Sequence, residues 1–194
     1  PLGQNCGLRI SQLGLGTMNF GKPGTGHQAD WTLDIDQARP IFQAALDHGL
    51  IYFDCANVYG NGACEEVVGE LLRELAPRDQ YVLATKVSMP MGPGANQGGL
   101  SRKHIMESVD ASLSRLGLDY IDHLVIHRHP HAIPGAAQTP ITETLEALND
   151  VVKAGKVLYL GADRAGNMLE VVSVTRDDDT EIVIHAMRMR RVYE

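Results

Sequence analysis

The chain has 194 residues, 44% of them hydrophobic, which is enough to bury one core. Its formal charge of −7, with no basic cluster carrying interleaved aromatics, argues against a nucleic-acid surface. Cys6, Cys55 and Cys64 share no metal-ligand spacing and accompany neither a signal peptide nor an apolar run of membrane length, which points to a reducing cytoplasm and to no membrane partner.

Residues 1–12 hold two short segments about Asn5-Cys6-Gly7, the pattern of a β-hairpin, and the chain opens at Pro1 without Met, which fits a trimmed start. A strand is predicted from Gln12 to Gly16. Residues 21–34 read as a loop, with Trp31 expected as an ordinary anchor of that loop rather than a substrate contact. Asp34-Ile35-Asp36-Gln37 carries N-cap chemistry, and Ala38, Ile41, Phe42, Ala45 and Leu46 then repeat at helical spacing as far as Gly49.

The next stretch, Leu50 to Gly60, is an apolar run that ends in Asp54 and is followed by Tyr59-Gly60, which predicts a buried strand opening into a site loop. An amphipathic helix follows over Cys64–Arg73 and closes near Pro77. The strand Tyr81–Val87 carries Lys86 near its end. Met89 to Leu100, with four Gly and two Pro, cannot be regular structure, and reads equally as a substrate-facing loop or a loose insertion.

Ser101 caps a helix that runs to Gly117, and the strand Tyr120–His127 ends in histidine. Thr139-Pro140 with Glu143 signals an N-cap, with proline at the first helical position, for a helix carrying Leu145, Leu148, Val151 and Val152. That helix stops at Gly155, and Val157–Gly161 is the fifth strand. Strand and helix alternate throughout, the pattern of βαβ units and a parallel sheet.

A carboxylate at a buried strand end needs a cation, and Lys86 is available from the neighbouring strand. Asp54, Tyr59, Lys86 and His127 can therefore reach one pocket at the carboxyl ends of three successive strands. His127, His129 and His131 also suggest a metal, but Pro130 ends the strand between them and no carboxylate or cysteine completes the set, so no metal is expected.

Leu13-Gly14-Leu15-Gly16-Thr17-Met18-Asn19-Phe20-Gly21, Phe53-Asp54 through Tyr59-Gly60, Leu83-Ala84-Thr85-Lys86, Ile126-His127-Arg128, and Ala154-Gly155-Lys156-Val157 with Tyr159-Leu160-Gly161 occur in that order. Together these blocks resemble the aldo-keto reductase family over about residues 2–161, and residues 162–194 lie beyond them. The resemblance implies an α/β fold of the (β/α)8 barrel type. At 194 residues against about 250 for a full barrel, the chain is expected to supply only about its first half. Two domains are expected: a barrel portion over 1–161 and an atypical tail over 162–194.

The resemblance further implies reduction of an aldehyde or ketone by NADPH, with Asp54, Tyr59, Lys86 and His127 as the catalytic tetrad. Tyr59 would give the proton, Lys86 would pull its pKa below the usual value of about 10, Asp54 would hold Lys86, and His127 would orient the carbonyl. Gly16, Thr17 and Met18, together with Asp54, would lie against the nicotinamide.

No Gly-x-Gly-x-x-Gly fingerprint marks a Rossmann site. The barrel's usual phosphate loops, after strands seven and eight, are not in this stretch of chain, so affinity for NADPH is expected to be poor unless another chain completes the barrel. Unpaired edges imply a homo-oligomer. The alternative is a truncated, non-catalytic remnant or binding module. Where the family places Ser and Ser or Asn, this chain has Ala162-Asp163-Arg164. Residues 157–188 are rich in β-branched residues and predict a three-stranded antiparallel meander in preference to a fifth helix and a sixth parallel strand.

Overall fold

The computed structural model describes residues 2, 7–25, 31–128, 139–162, 169–174 and 183–188, the last two segments as backbone only. The strands β1 (Gly14–Gly16), β2 (Tyr52–Asp54), β3 (Val82–Val87), β4 (Ile121–Ile126) and β5 (Val157–Ala162) form one sheet in chain order. Each pair is parallel, with Gly16 opposite Asp54, Asp54 opposite Ala84, Lys86 opposite Val125, and His123 opposite Tyr159. The crossovers are α1 (Ile35–Asp47), α2 (Ala63–Leu75), α3 (Arg102–Leu116) and α4 (Ile141–Lys153). This is the succession found in the first half of a (β/α)8 barrel.

Local chemistry accounts for the helix boundaries. Asp34 accepts from Gln37 N while the Gln37 side chain accepts from Asp34 N, a complete capping box that starts α1. Ser101 Oγ accepts from His104 N and starts α3, which Gly117 ends at φ 65°. The start of α4 departs from its reading. Pro140 itself occupies the cap position with no side-chain cap bond, and Glu143 instead accepts from Arg102 N at 2.9 Å.

Successive strand residues face opposite ways. One face of the sheet packs on the helices: Phe42 of α1 stacks on Phe53 of β2 at 5.4 Å, and Phe20 meets Phe42 edge-on at 5.2 Å. Thr85 of β3 also faces the helices, since its hydroxyl donates to Glu65 of α2. Lys86, Asp54 and Tyr52 therefore fall on the opposite, barrel-interior face. Gly69 of α2 is required by packing, because a Cβ there would lie 2.6 Å from Leu116 Cα of α3.

Beyond β5, β6 (Leu169–Val174) and β7 (Val183–Arg188) pair antiparallel as a separate two-stranded sheet, Leu169 opposite Arg188. The antiparallel tail is thus present, but the predicted three-stranded meander is corrected. β5 joins the parallel sheet through β4, whose register continues to Ala162.

The hairpin read at the amino terminus falls mostly outside the described residues. Leu2 N donates to Leu8 O at 2.8 Å. Trp31 is 54% exposed, so it does not anchor its loop by burial. His129 and His131 lie outside the described residues, and no metal-holding group of three ligand-type side chains occurs among the described ones. No described helix is long and apolar enough to cross a membrane.

Candidate active site

Lys86 is buried near the end of β3 and uses its three ammonium protons on three acceptors. It lies 2.9 Å from Asp54 Oδ1 and donates to Cys55 O at 2.8 Å and to the Tyr59 hydroxyl at 3.3 Å. β2 delivers Asp54. Tyr59 follows in a tight helical turn, Tyr59–Gly62, where Gly60 and Asn61 adopt positive φ. His127, immediately after β4, meets the Tyr59 ring edge to face at 5.8 Å and 89°. The four tetrad residues read from the sequence are thus brought to one end of the sheet.

Electrostatics couple them. Burial lowers the Lys86 pKa, but Asp54 and Tyr59 outweigh it and the net shift is upward, so the ammonium stays charged. Burial raises the Tyr59 pKa, and the opposing pull of Lys86 does not overcome it. The family resemblance implies a net downward shift. Lys86 acts in the expected direction, but desolvation of the phenolate is larger. Tyr59 therefore rests as the neutral phenol, the form able to give a proton.

Of the residues read as cofactor contacts, Gly16 and Met18 lie exposed at the end of β1, Met18 at 48%. A Cβ at Gly16 would meet nothing within 4 Å. Thr17 is fully buried and serves Asp54 instead: its N–H and its hydroxyl both donate to Asp54 O at 3.0 Å. Its carbonyl accepts from Cys64 Sγ at 3.0 Å, and Cys64 lies 3.4 Å from Cys55. Both thiols are buried, and burial raises the Cys55 pKa well above its ordinary value, so this pair packs as apolar filler rather than as a nucleophile.

Three further features escaped the sequence reading. Below the ion pair, the Tyr52 hydroxyl lies 3.0 Å from His123 Nδ1, and burial lowers the His123 pKa to about 4. Glu65 looks like one of the acids on an exposed helix face, yet it is fully buried, held by Arg115 at 2.7 Å and by Thr85 at 2.5 Å. Asn57 is buried with both side-chain polar atoms unbonded among the described residues. The residue types alone gave no signal for any of them, because each depends on a partner from elsewhere or on burial.

The family model for the aldo/keto reductase family matches residues 12–192. The chain belongs to that family. Its match runs on through β6 and β7, past Gly161 where the sequence blocks stop. An aldo-keto reductase of Fusarium vanettenii is 41% identical over 181 residues, covering 81% of this chain and 46% of its own length. The Arabidopsis thaliana protein named "Probable voltage-gated potassium channel subunit beta" is 43% identical over 157 residues, 80% of this chain and 43% of its own. The holo form of an aldo-keto reductase from Bacillus halodurans superposes with a TM-score of 0.65 at 31% identity, covering 82% of this chain and 48% of that one. The aldo/keto reductase chain described here spans about half the length of the curated relatives it matches.

Proposed function

We propose that this aldo/keto reductase chain belongs to an NADPH-dependent enzyme that reduces aldehydes or ketones to alcohols, with Tyr59 as the proton donor. The observation that carries the reading is the Lys86 ammonium shared between Asp54 and the Tyr59 hydroxyl at an open strand end. The donor set fits a nicotinamide. The Asp54 side chain is 30% exposed, Gly16 lies opposite it in the sheet with open space where a Cβ would stand, and Met18 is exposed just past the strand. When bound, NADPH supplies the hydride.

The chain's own residues would do the rest. His127, ring-edge to Tyr59, is placed to donate to the carbonyl oxygen and orient it. Tyr59 gives its proton to that oxygen as negative charge develops there, and Lys86 stabilises the phenolate left behind. Asp54 keeps Lys86 charged and in place, and Thr17 holds the Asp54 backbone. In this reading Gly16, Met18 and Asp54 contact the nicotinamide, and Thr17 acts one step behind them.

The same proposal takes residues 1–161 as the barrel portion and 162–194 as the tail. It places the reaction in the cytoplasm, consistent with the free Cys55 and Cys64, and it includes a homo-oligomer through β1 and β5, the edge strands of the sheet. The second reading is a non-catalytic binding module that retains the tetrad. The name of the Arabidopsis relative, a channel subunit, favours it. Titrating the purified protein with NADPH by fluorescence, then following nicotinamide absorbance with a panel of aldehydes, separates the two. Binding with turnover supports the enzyme, whereas binding without turnover supports the module.

A further inference from the structure

Ser88 follows Lys86 by two residues and is fully buried. Its φ is 142°, a conformation that glycine adopts readily and that strains a residue carrying a Cβ. The structure around it over-determines that conformation. Ser88 Oγ accepts from Arg128 N at 2.9 Å, and Ser88 O accepts from Gly99 N at 2.8 Å. One step back, Val87 O accepts from His127 N at 2.9 Å. The two residues after Lys86 thus grip the backbone at His127 and Arg128.

The same serine closes the glycine-rich loop of residues 88–100. That loop is neither loose nor regular. Met91 N donates to Gln97 O at 2.7 Å, Gln97 N to Gly94 O at 3.0 Å, and Gly94 N to the Gln97 side chain at 2.8 Å. Buried His104 of α3 packs its imidazole on the backbone at Met89 and Asn96. The loop is a braced unit whose two ends meet at Ser88.

We infer that Ser88 is a positioning residue for the proposed reduction: its strained backbone and its hydroxyl, bonded to Arg128 N–H, lock the strand ends that carry Lys86 and His127 against each other. The inference rests on the reductase reading for its catalytic consequence, but its geometry stands apart from that reading. A glycine at this position would relax the backbone yet offer Arg128 N–H no acceptor. An alanine would remove the acceptor and keep the strain. Stability and positioning should therefore separate in the glycine variant, which they would not do at a residue that merely folds a turn.

The test compares Ser88→Gly and Ser88→Ala with the unaltered protein. Three readouts are taken: thermal unfolding, amide exchange at Arg128, and the His127 imidazole titration by NMR. Turnover with NADPH and an aldehyde is measured alongside. Expected for Ser88→Gly are a Tm at or above that of the parent, Arg128 exchange at least about tenfold faster, a displaced His127 titration, and kcat roughly tenfold lower at unchanged NADPH affinity. Ser88→Ala should show the same site changes with a lower Tm. Unchanged Arg128 exchange and His127 titration in Ser88→Gly, or a glycine variant that melts well below the parent, would overturn the inference. If the parent shows no turnover while both site readouts shift in Ser88→Gly, the reductase reading falls and the positioning role of Ser88 stands.

Discussion

Lys86 Nζ lies 2.9 Å from Asp54 Oδ1, and the pair sits where β2 and β3 end on the barrel-interior face. Neither residue is suited to that place alone. A buried ammonium is costly, and it is retained because Asp54, Cys55 O and Tyr59 accept all of its protons.

Lys86→Met removes the cation and keeps most of the side-chain volume. The hydride-transfer rate is expected to fall at least about 100-fold, the usual consequence of losing one charge-stabilising donor. The phenol of Tyr59 would also titrate higher still, since burial then acts without opposition. Stopped-flow absorbance at 340 nm and ultraviolet titration of the tyrosine check the two effects separately.

The Glu65–Arg115 pair ties α2 to α3 through the core. Glu65→Ala would leave the guanidinium without its carboxylate and is expected to cost roughly 3 kcal/mol of stability. Replacing both partners by Leu and Met, respectively, should recover much of that loss, because the unpaired charge goes with them. Urea unfolding midpoints of the single and double variants decide it.

His123 makes stability depend on pH. In the folded chain its pKa is about 4, against 6.5 ordinarily, because burial disfavours the cation. Between those values the unfolded chain takes up a proton that the folded chain refuses, so stability falls as pH drops from 6.5 toward 4. Below that, both forms are protonated and this contribution is constant. The expected loss is about 3 kcal/mol across the window, and buried His104 adds to it in the same direction. His123→Gln keeps an acceptor for Tyr52 and should flatten the slope of unfolding free energy against pH over that range.

The sequence made the scaffold legible because β2, β3 and β4 are apolar runs set between helices with clear periodicity, while the short β1 and the closing β5 stand before α1 and after α4. The meeting of Asp54, Tyr59, Lys86 and His127 at one end of the sheet was legible because Asp54, Lys86 and His127 lie at the ends of such runs. What escaped depends on distant partners. Glu65 reads as a solvent-facing acid until Arg115, 50 residues on, is seen against it. The β-branched run after Gly161 shows that strands follow, but not that β5 pairs back to β4 while β6 and β7 pair with each other. The direction of the Tyr59 shift turns on how much of the phenol is buried, which spacing does not report. The strain at Ser88 is invisible in a residue type that normally sits in ordinary backbone.

The most direct test of the central claim is single-turnover oxidation of NADPH with an aldehyde by the parent protein and by Tyr59→Phe, with cofactor affinity measured in parallel. NADPH is expected to bind both alike, and the phenylalanine variant to lose about 100-fold or more of the hydride-transfer rate. A Tyr59→Phe variant that reduces aldehydes as fast as the parent would contradict it.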